Sequence, residues 1–227
     1  MNEIVLFLLV LLSLSTILTF YKIFDKRGLY FSTTILSLIS FIFSFKLGYI
    51  FRLNVNLGII SLISVFSIIY IYLIKYDKKN IKDLVIVTGA TNIIISLLLV
   101  VLNYYIPSIT ETISINIEGT FETNYKILIT YPIIVALSQY IIIKLYSFIT
   151  SISDYYFVSL LLTYIITGLI YTIIFYILAY INILNIKDSI FLGISTYIVG
   201  LIVHILNIIF ILYITKSKKV TKWKTYY

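Results

Sequence analysis

The chain has 227 residues, of which 61% are hydrophobic and 11% charged, with a formal net charge of +8. A mean hydropathy of +1.10 excludes a soluble globular fold, because too little polar surface remains to face water. The absence of cysteine excludes disulfides, thiolate metal sites and cysteine nucleophiles, and a single histidine excludes a histidine-rich metal site.

Seven apolar runs, each bounded by charges, fill the chain almost end to end. A run of about 18 or more apolar residues crosses the hydrocarbon core as a helix. In chain order the predicted spans are 4–21, 29–45, 57–74, 84–106, 127–149, 156–184 and 190–215. Isoleucine and valine are abundant in them. Even so, in lipid the backbone must satisfy its own hydrogen bonds, so each span is read as a helix. The fold class expected is an all-α membrane protein, a polytopic bundle of seven transmembrane helices. They form one domain over residues 1–215, followed by a short basic tail at 216–227. The first run is read as a span and not as a cleavable leader. Glu3 stands where a leader would be basic, and no small-residue cleavage site follows Leu12.

Loop charge sets the expected orientation. Lys22, Lys26 and Arg27, then Lys75, Lys78, Lys79 and Lys82, then Lys216, Lys218, Lys219, Lys222 and Lys224 make up twelve of the seventeen lysines and arginines. With seven spans they share one side, read as the cytoplasm. The excess of positive charge is thereby assigned to loops beside the lipid headgroups, not to nucleic acid. The loop 107–126 carries Glu111, Glu118 and Glu122 and falls on the opposite side. A multi-pass protein of the cell membrane follows, with its N-terminus outside and its C-terminus cytoplasmic. Lys46 and Arg52 depart from this rule. Tyr104, Tyr105, Tyr155 and Tyr156 stand at span ends, where aromatic belts form.

The order of features resembles the queuosine precursor transporter family. Its first turn reads like Tyr-Arg-Leu-Phe-Gly-Lys-Glu-Gly-Leu-Tyr, and Tyr21-Lys22-Ile23-Phe24-Asp25-Lys26-Arg27-Gly28-Leu29-Tyr30 stands in that place. The family's lysine, Phe-Gly-Leu and glycine are matched by Lys46, Phe51-Arg52-Leu53 and Gly58. Its Lys-Tyr-Gly-Lys-Lys is similar to Lys75-Tyr76-Asp77-Lys78-Lys79. Pro107-Ser108 and Ser138-Gln139 follow at matching spacing. The resemblance therefore covers nearly the whole chain, with six family-like spans after an extra N-terminal one. Several polar positions depart from it. Tyr70 and Ile74 replace an Asp and a Glu, Ile142 an Asp, Gly168 and Tyr171 a Gln and an Asp, Gly200 a Lys, and Asn207 an Asp. Lys46, Gln139, Thr172 and Asn207 remain as polar groups that the resemblance implies could meet substrate.

All nine acidic residues fall in predicted loops or near a terminus, so no carboxylate proton relay is expected inside the spans. Gln139 is a mid-span amide able to donate and accept, which suits the edge of a purine-like base or a bond between helices. His204 has Gly200 and Asn207 on its own face. It is read either as a proton-sensing or substrate-contacting group or as a neutral histidine satisfied by a neighbouring helix. Lys144 is read as snorkelling to headgroups, or else as facing an internal cavity. Pro132 is expected to kink or break its helix by leaving a carbonyl unpaired. Tyr164, Tyr171 and Tyr197 could stack a flat ring. Asn92 with Gly89, and Gly168 with Thr172, read as packing seams.

The expected function is transport of a small, flat, uncharged solute by alternating access. The resemblance implies a queuosine precursor, a 7-deazaguanine base. The candidate substrate residues are Gln139, Lys46, Thr172, His204 and Asn207. The expected partners are the lipid bilayer and a nucleobase-like small molecule. No nucleic acid, metal, cofactor or catalytic set is expected, and an oligomer is compatible with the reading. The alternative is a non-transporting membrane protein or partner subunit descended from that family.

Overall fold

A computed structural model describes residues 2–76, 81–103, 112–153, 155–180 and 184–216. In chain order its elements are α1 (Asn2–Phe24), α2 (Lys26–Phe43), β1 (Leu47–Ile50), β2 (Leu53–Asn56), α3 (Gly58–Lys75), α4 (Ile81–Asn103), α5 (Thr112–Ile152), α6 (Tyr156–Tyr180) and α7 (Ile186–Thr215). Six of the helices are long and apolar enough to cross a membrane. The exception is α2, whose 18 residues include Lys26, Arg27 and five serines and threonines.

The middle of the bundle is α3. Every residue from Gly58 to Ile74 is buried, and the helix packs on α1, α2, α4, α5 and α7. A helix that is apolar all round has to be sheathed by others or by lipid, and here the sheath is protein. The contrast with α1 and α4 decides which helices face lipid. In their most apolar stretches 22% and 17% of residues are buried, against 94% in α3. The outer face of α4 presents Ile86, Ile93, Ile94, Leu97, Leu98 and Val101. α6 lies against α5 and α7.

Side-chain contacts define the two ends. At one, the Asn2 amide donates to the Tyr49 carbonyl at 2.7 Å and the Phe51 N–H donates to Glu3 at 3.2 Å. So the hairpin closing α2 lies beside the start of α1, and α2 runs back along α1. At the other end, Tyr76 donates to Asp25 at 2.7 Å and Lys75 to the Tyr21 hydroxyl at 2.9 Å. Lys26 lies over the Tyr72 ring at 5.4 Å. The Tyr76 hydroxyl holds the Asp25 carboxyl below its usual range. The basic residues at 22–27 and Lys75 thus meet at one bundle end, and Lys82 opens α4. α7 runs parallel to α3, because Thr196 accepts from the Asn56 N–H and Asn207 reaches Ser64 and Ser67. Lys216 therefore ends at the basic end too. The remaining tail cations lie outside the described residues, as do Tyr104, Tyr105, Glu111 and Pro107.

Three expectations are corrected. First, the segment between the second and third spans is not a plain loop. β1 and β2 pair antiparallel, Leu47 with Asn56 through Ile50 with Leu53. Phe51 and Arg52 in the turn have φ of 49° and 63°. Tight hairpin turns favour such values, normally with Asn or Gly, and ordinary residues adopt them at roughly 1–2 kcal/mol each. The hairpin holds because its inner side is packed. Ile50, Val55 and Asn56 are buried, and Asn56 donates to the Ser44 carbonyl at 2.7 Å while accepting from the Gly58 N–H at 2.8 Å. A Cβ at Gly58 would strike the Ser40 carbonyl, so glycine permits the close approach of α2 and α3. Second, the loop predicted at 107–126 is helical from Thr112 onward, making α5 41 residues long. Third, Pro132 does not break α5. It removes the N–H that would serve Leu128, and the Ser96 hydroxyl of α4 donates to that carbonyl at 2.8 Å.

This cap is testable. Ser96→Ala leaves the Leu128 carbonyl buried and unpaired, an expected loss of about 1–2 kcal/mol in thermal unfolding of the detergent-solubilised protein. In a Pro132→Ala background, where the helix supplies its own N–H, the same substitution should cost clearly less. Equal losses in both backgrounds would remove the assignment.

Candidate functional site

Three helices, α5, α6 and α7, bring polar and aromatic groups together beside α3. On α3, Ser61, Ser64, Ser67 and Tyr70 recur every three residues and are all buried. Serines on that face let α7 come close. The Asn207 amide of α7 then donates to Ser67 at 3.0 Å and lies 3.3 Å from Ser64. One turn earlier, His204 Nε2 lies 3.2 Å from the Leu160 carbonyl of α6. A carbonyl can only accept, so Nε2 carries the proton and Nδ1 is a bare acceptor.

Aromatic rings surround that histidine. Tyr164 of α6 stacks on His204 at 4.2 Å with planes 20° apart, and Tyr197 lies parallel to Tyr164 at 6.3 Å. Tyr70 meets His204 at 5.8 Å and Tyr146 of α5 at 5.4 Å. Two glycines make room for Tyr164. A Cβ at Gly168 would lie 3.0 Å from its ring, and one at Gly200 would collide with its hydroxyl. The resemblance expects Gln and Lys at those positions, and a large ring occupies the space instead.

The unusual property of this region is its unmet polar demand. Among the described residues, no hydrogen-bond partner serves the Tyr70, Tyr146 and Tyr164 hydroxyls, His204 Nδ1, Asn207 Oδ1, or either amide atom of Gln139. All of them are withdrawn from solvent. A buried polar group without a partner costs about 1–3 kcal/mol, and such groups are rare in native structures. Gln139 is wholly buried. It lies on the inner face of α5 seven residues before Tyr146, about 10 Å along the helix. In the other direction is Tyr131, which bonds to Ser40 and packs on Phe41 and Phe175. Gln139 therefore sits between the hairpin end and the Tyr70 level, near the height of Asn207.

The sequence-derived candidates separate. Gln139, His204 and Asn207 belong to this buried region. Thr172 is buried, but its hydroxyl donates to the Gly168 carbonyl of its own helix at 2.9 Å. A Cβ at Gly193 would lie 3.4 Å from the Thr172 carbonyl, which places the residue at the α6–α7 seam. Lys46 is not part of the region. It is exposed beside β1 and lines a cavity against α1. Lys144 is exposed on the outer side of α5, with its ammonium 5.7 Å from the Tyr140 ring, one turn nearer the middle of the helix. Asn92 accepts from Ser37 at 2.8 Å and ties α2 to α4. Tyr70 and Tyr146 were not anticipated. The signal for Tyr70 was its place at the end of the serine stripe, and for Tyr146 its seven-residue spacing from Gln139.

Chemically the region is neutral, aromatic, and supplied with both donors and acceptors. No three of the described histidines and acids gather as metal ligands, and no described hydroxyl hydrogen-bonds to His204 Nδ1. The arrangement suits binding of a flat, uncharged heterocycle better than acid–base chemistry. Comparison with known proteins gives no match among family models, curated proteins or solved structures.

Gln139 and Asn207 should respond oppositely to substitution. Gln139→Leu removes two unpaired polar atoms and should raise the thermal midpoint of the ligand-free protein, by about 1 kcal/mol in stability. Asn207→Leu removes the amide that donates to the Ser64 and Ser67 oxygens and should lower it by a similar amount. Differential scanning fluorimetry in detergent reads both. A fall for Gln139→Leu would mean that its amide is engaged.

Proposed function

We propose that the chain is a transporter of a small, flat, uncharged solute across the cell membrane, and that the substrate is nucleobase-like, a queuosine precursor of the 7-deazaguanine type. The observation that carries this reading is Gln139, whose two amide atoms are buried and unpartnered at the middle of the bundle. A solute with an amide-like edge would satisfy them. The Tyr164–His204 stack offers a surface for its ring, and His204 Nδ1 and Asn207 Oδ1 would accept from its N–H groups. All seven helices cross the bilayer in this reading. The 18 residues of α2 give about 27 Å, close to the hydrocarbon thickness. The basic end faces the cytoplasm and the hairpin faces outward. Pro132 gives α5 a hinge for alternating access.

Support for the resemblance comes from Asp25, whose φ of 49° is of the kind glycine takes freely, and glycine is the family's residue there. A specific observation favours a second reading, a non-transporting relative. Tyr164 fills the space of the two expected polar side chains at 168 and 200, and α3 is buried along its length.

Complementation separates the two. The chain is expressed in cells that neither make the precursor nor carry their own importer, low external precursor is supplied, and queuosine in tRNA is scored. Transport predicts restored queuosine that Gln139→Leu abolishes while membrane insertion is kept. No queuosine from the inserted wild-type chain would favour the non-transporting relative.

A further inference from the structure

A second site lies at the hairpin end, away from the buried polar region. A cavity of about 320 Å³ opens between the first half of α1, β1 and the start of α3. That volume is at the lower end of ligand pockets. Its inner wall is apolar and closed, with Leu6, Ile50 and Ile60 almost wholly buried. Its outer rim is open, since Val5, Leu47 and Tyr49 are each roughly half exposed. The one charged group in its lining is Lys46. Among the described residues no carboxylate pairs with this lysine. Glu3, the nearest acid in the chain order of α1, bonds to the turn of the hairpin at the Phe51 N–H.

An apolar slot with a single unpaired cation at its mouth is complementary to an amphiphile bearing an anionic head. We infer that the cavity binds an anionic phospholipid of the adjoining leaflet, its acyl chain against Leu6, Leu9 and Ile60 and its phosphate at Lys46. The setting favours a bilayer lipid over a water-borne ligand. α1 is one of the two helices most open to lipid, so the slot is filled from the side. The site also accounts for a departure noted in the loop charges. Lys46, a cation on the minority side of the bundle, is retained there by a headgroup and not by topology. The lipid would wedge α1 against the hairpin and so add to the two bonds from Asn2 and Glu3 that hold this end. This inference is independent of the transported solute.

The test uses the full chain, purified and delipidated in a neutral detergent, then offered phosphatidylglycerol or phosphatidylcholine. Native mass spectrometry counts retained lipid and thermal unfolding reads stabilisation. The expected result is preferential retention of phosphatidylglycerol, with a rise in the thermal midpoint. Lys46→Ala should cut retention about fivefold, the worth of one cation beside an anionic headgroup. Leu9→Trp, which fills the slot and keeps the lysine, should cut retention of the same lipid. Arg52→Ala, at the hairpin turn outside the slot, should leave it unchanged. Equal retention of both lipids, or phosphatidylglycerol retention untouched by Lys46→Ala, would overturn the site. So would loss with Arg52→Ala as large as with Lys46→Ala, which would mean diffuse surface charge.

Discussion

A polar group carried into hydrocarbon must find its partner within the protein, and most contacts around α3 answer to that constraint. Serines of α2 and α4 are placed where another helix needs a donor, and those of α3 accept from Asn207 of α7. Ser40 donates to the Gly58 carbonyl at 2.7 Å, Ser37 to Asn92, and Ser96 to the carbonyl orphaned by Pro132. These small residues serve twice, since they also let backbones approach. Dispersion between well-fitted helices supplies the bulk of the attraction in lipid, and the hydroxyls fix the register. The aromatic residues fill what remains. Tyr131, Phe41, Phe175 and Tyr171 form a continuous set of rings that closes the α2–α5–α6 side of the core.

Against that background the unpaired atoms near His204 stand apart. Elsewhere most buried hydroxyls and amides are met by short bonds, and the unpartnered atoms among the described residues, Ser32 Oγ, Asn92 Nδ2 and Ser189 Oγ, are scattered singly. Here three tyrosine hydroxyls, a ring nitrogen, an asparagine oxygen and a whole amide are left over. Retaining them is sensible if something else completes them part of the time, which is what a binding region requires.

The spans were readable because lipid imposes length and apolarity together, and six of the seven runs became apolar helices of sufficient length. The hairpin was not readable. Its turn holds Phe51 and Arg52 at positive φ where turn chemistry looks for Asn-Gly, and its pairing is enforced by Asn56 and α7, which are distant in sequence. The extension of α5 was hidden by Glu118 and Glu122, whose charge suggested a loop although glutamate is a good helix former. Within the site, Gln139, His204 and Asn207 announced themselves as polar residues in apolar runs. Tyr70 and Tyr146 did not, because 22 tyrosines make any one inconspicuous. Lys46 lies apart from these residues for a geometric reason. A charge between spans shows its depth in the membrane and not which side of the bundle it joins.

The Ser96 hydroxyl lies 2.8 Å from two carbonyls, Asn92 of its own helix and Leu128 of α5. It has one hydrogen to give. Any slide of α4 that improves one bond weakens the other, so the carbonyl next to Pro132 gains or loses its donor as α4 moves. α4 is also the helix with the least protein around it. Stretching or thickening of the surrounding bilayer acts on α4 first, and through that shared hydrogen it would alter how freely α5 bends. The bilayer would then act on the interior of the bundle through a single hydroxyl group.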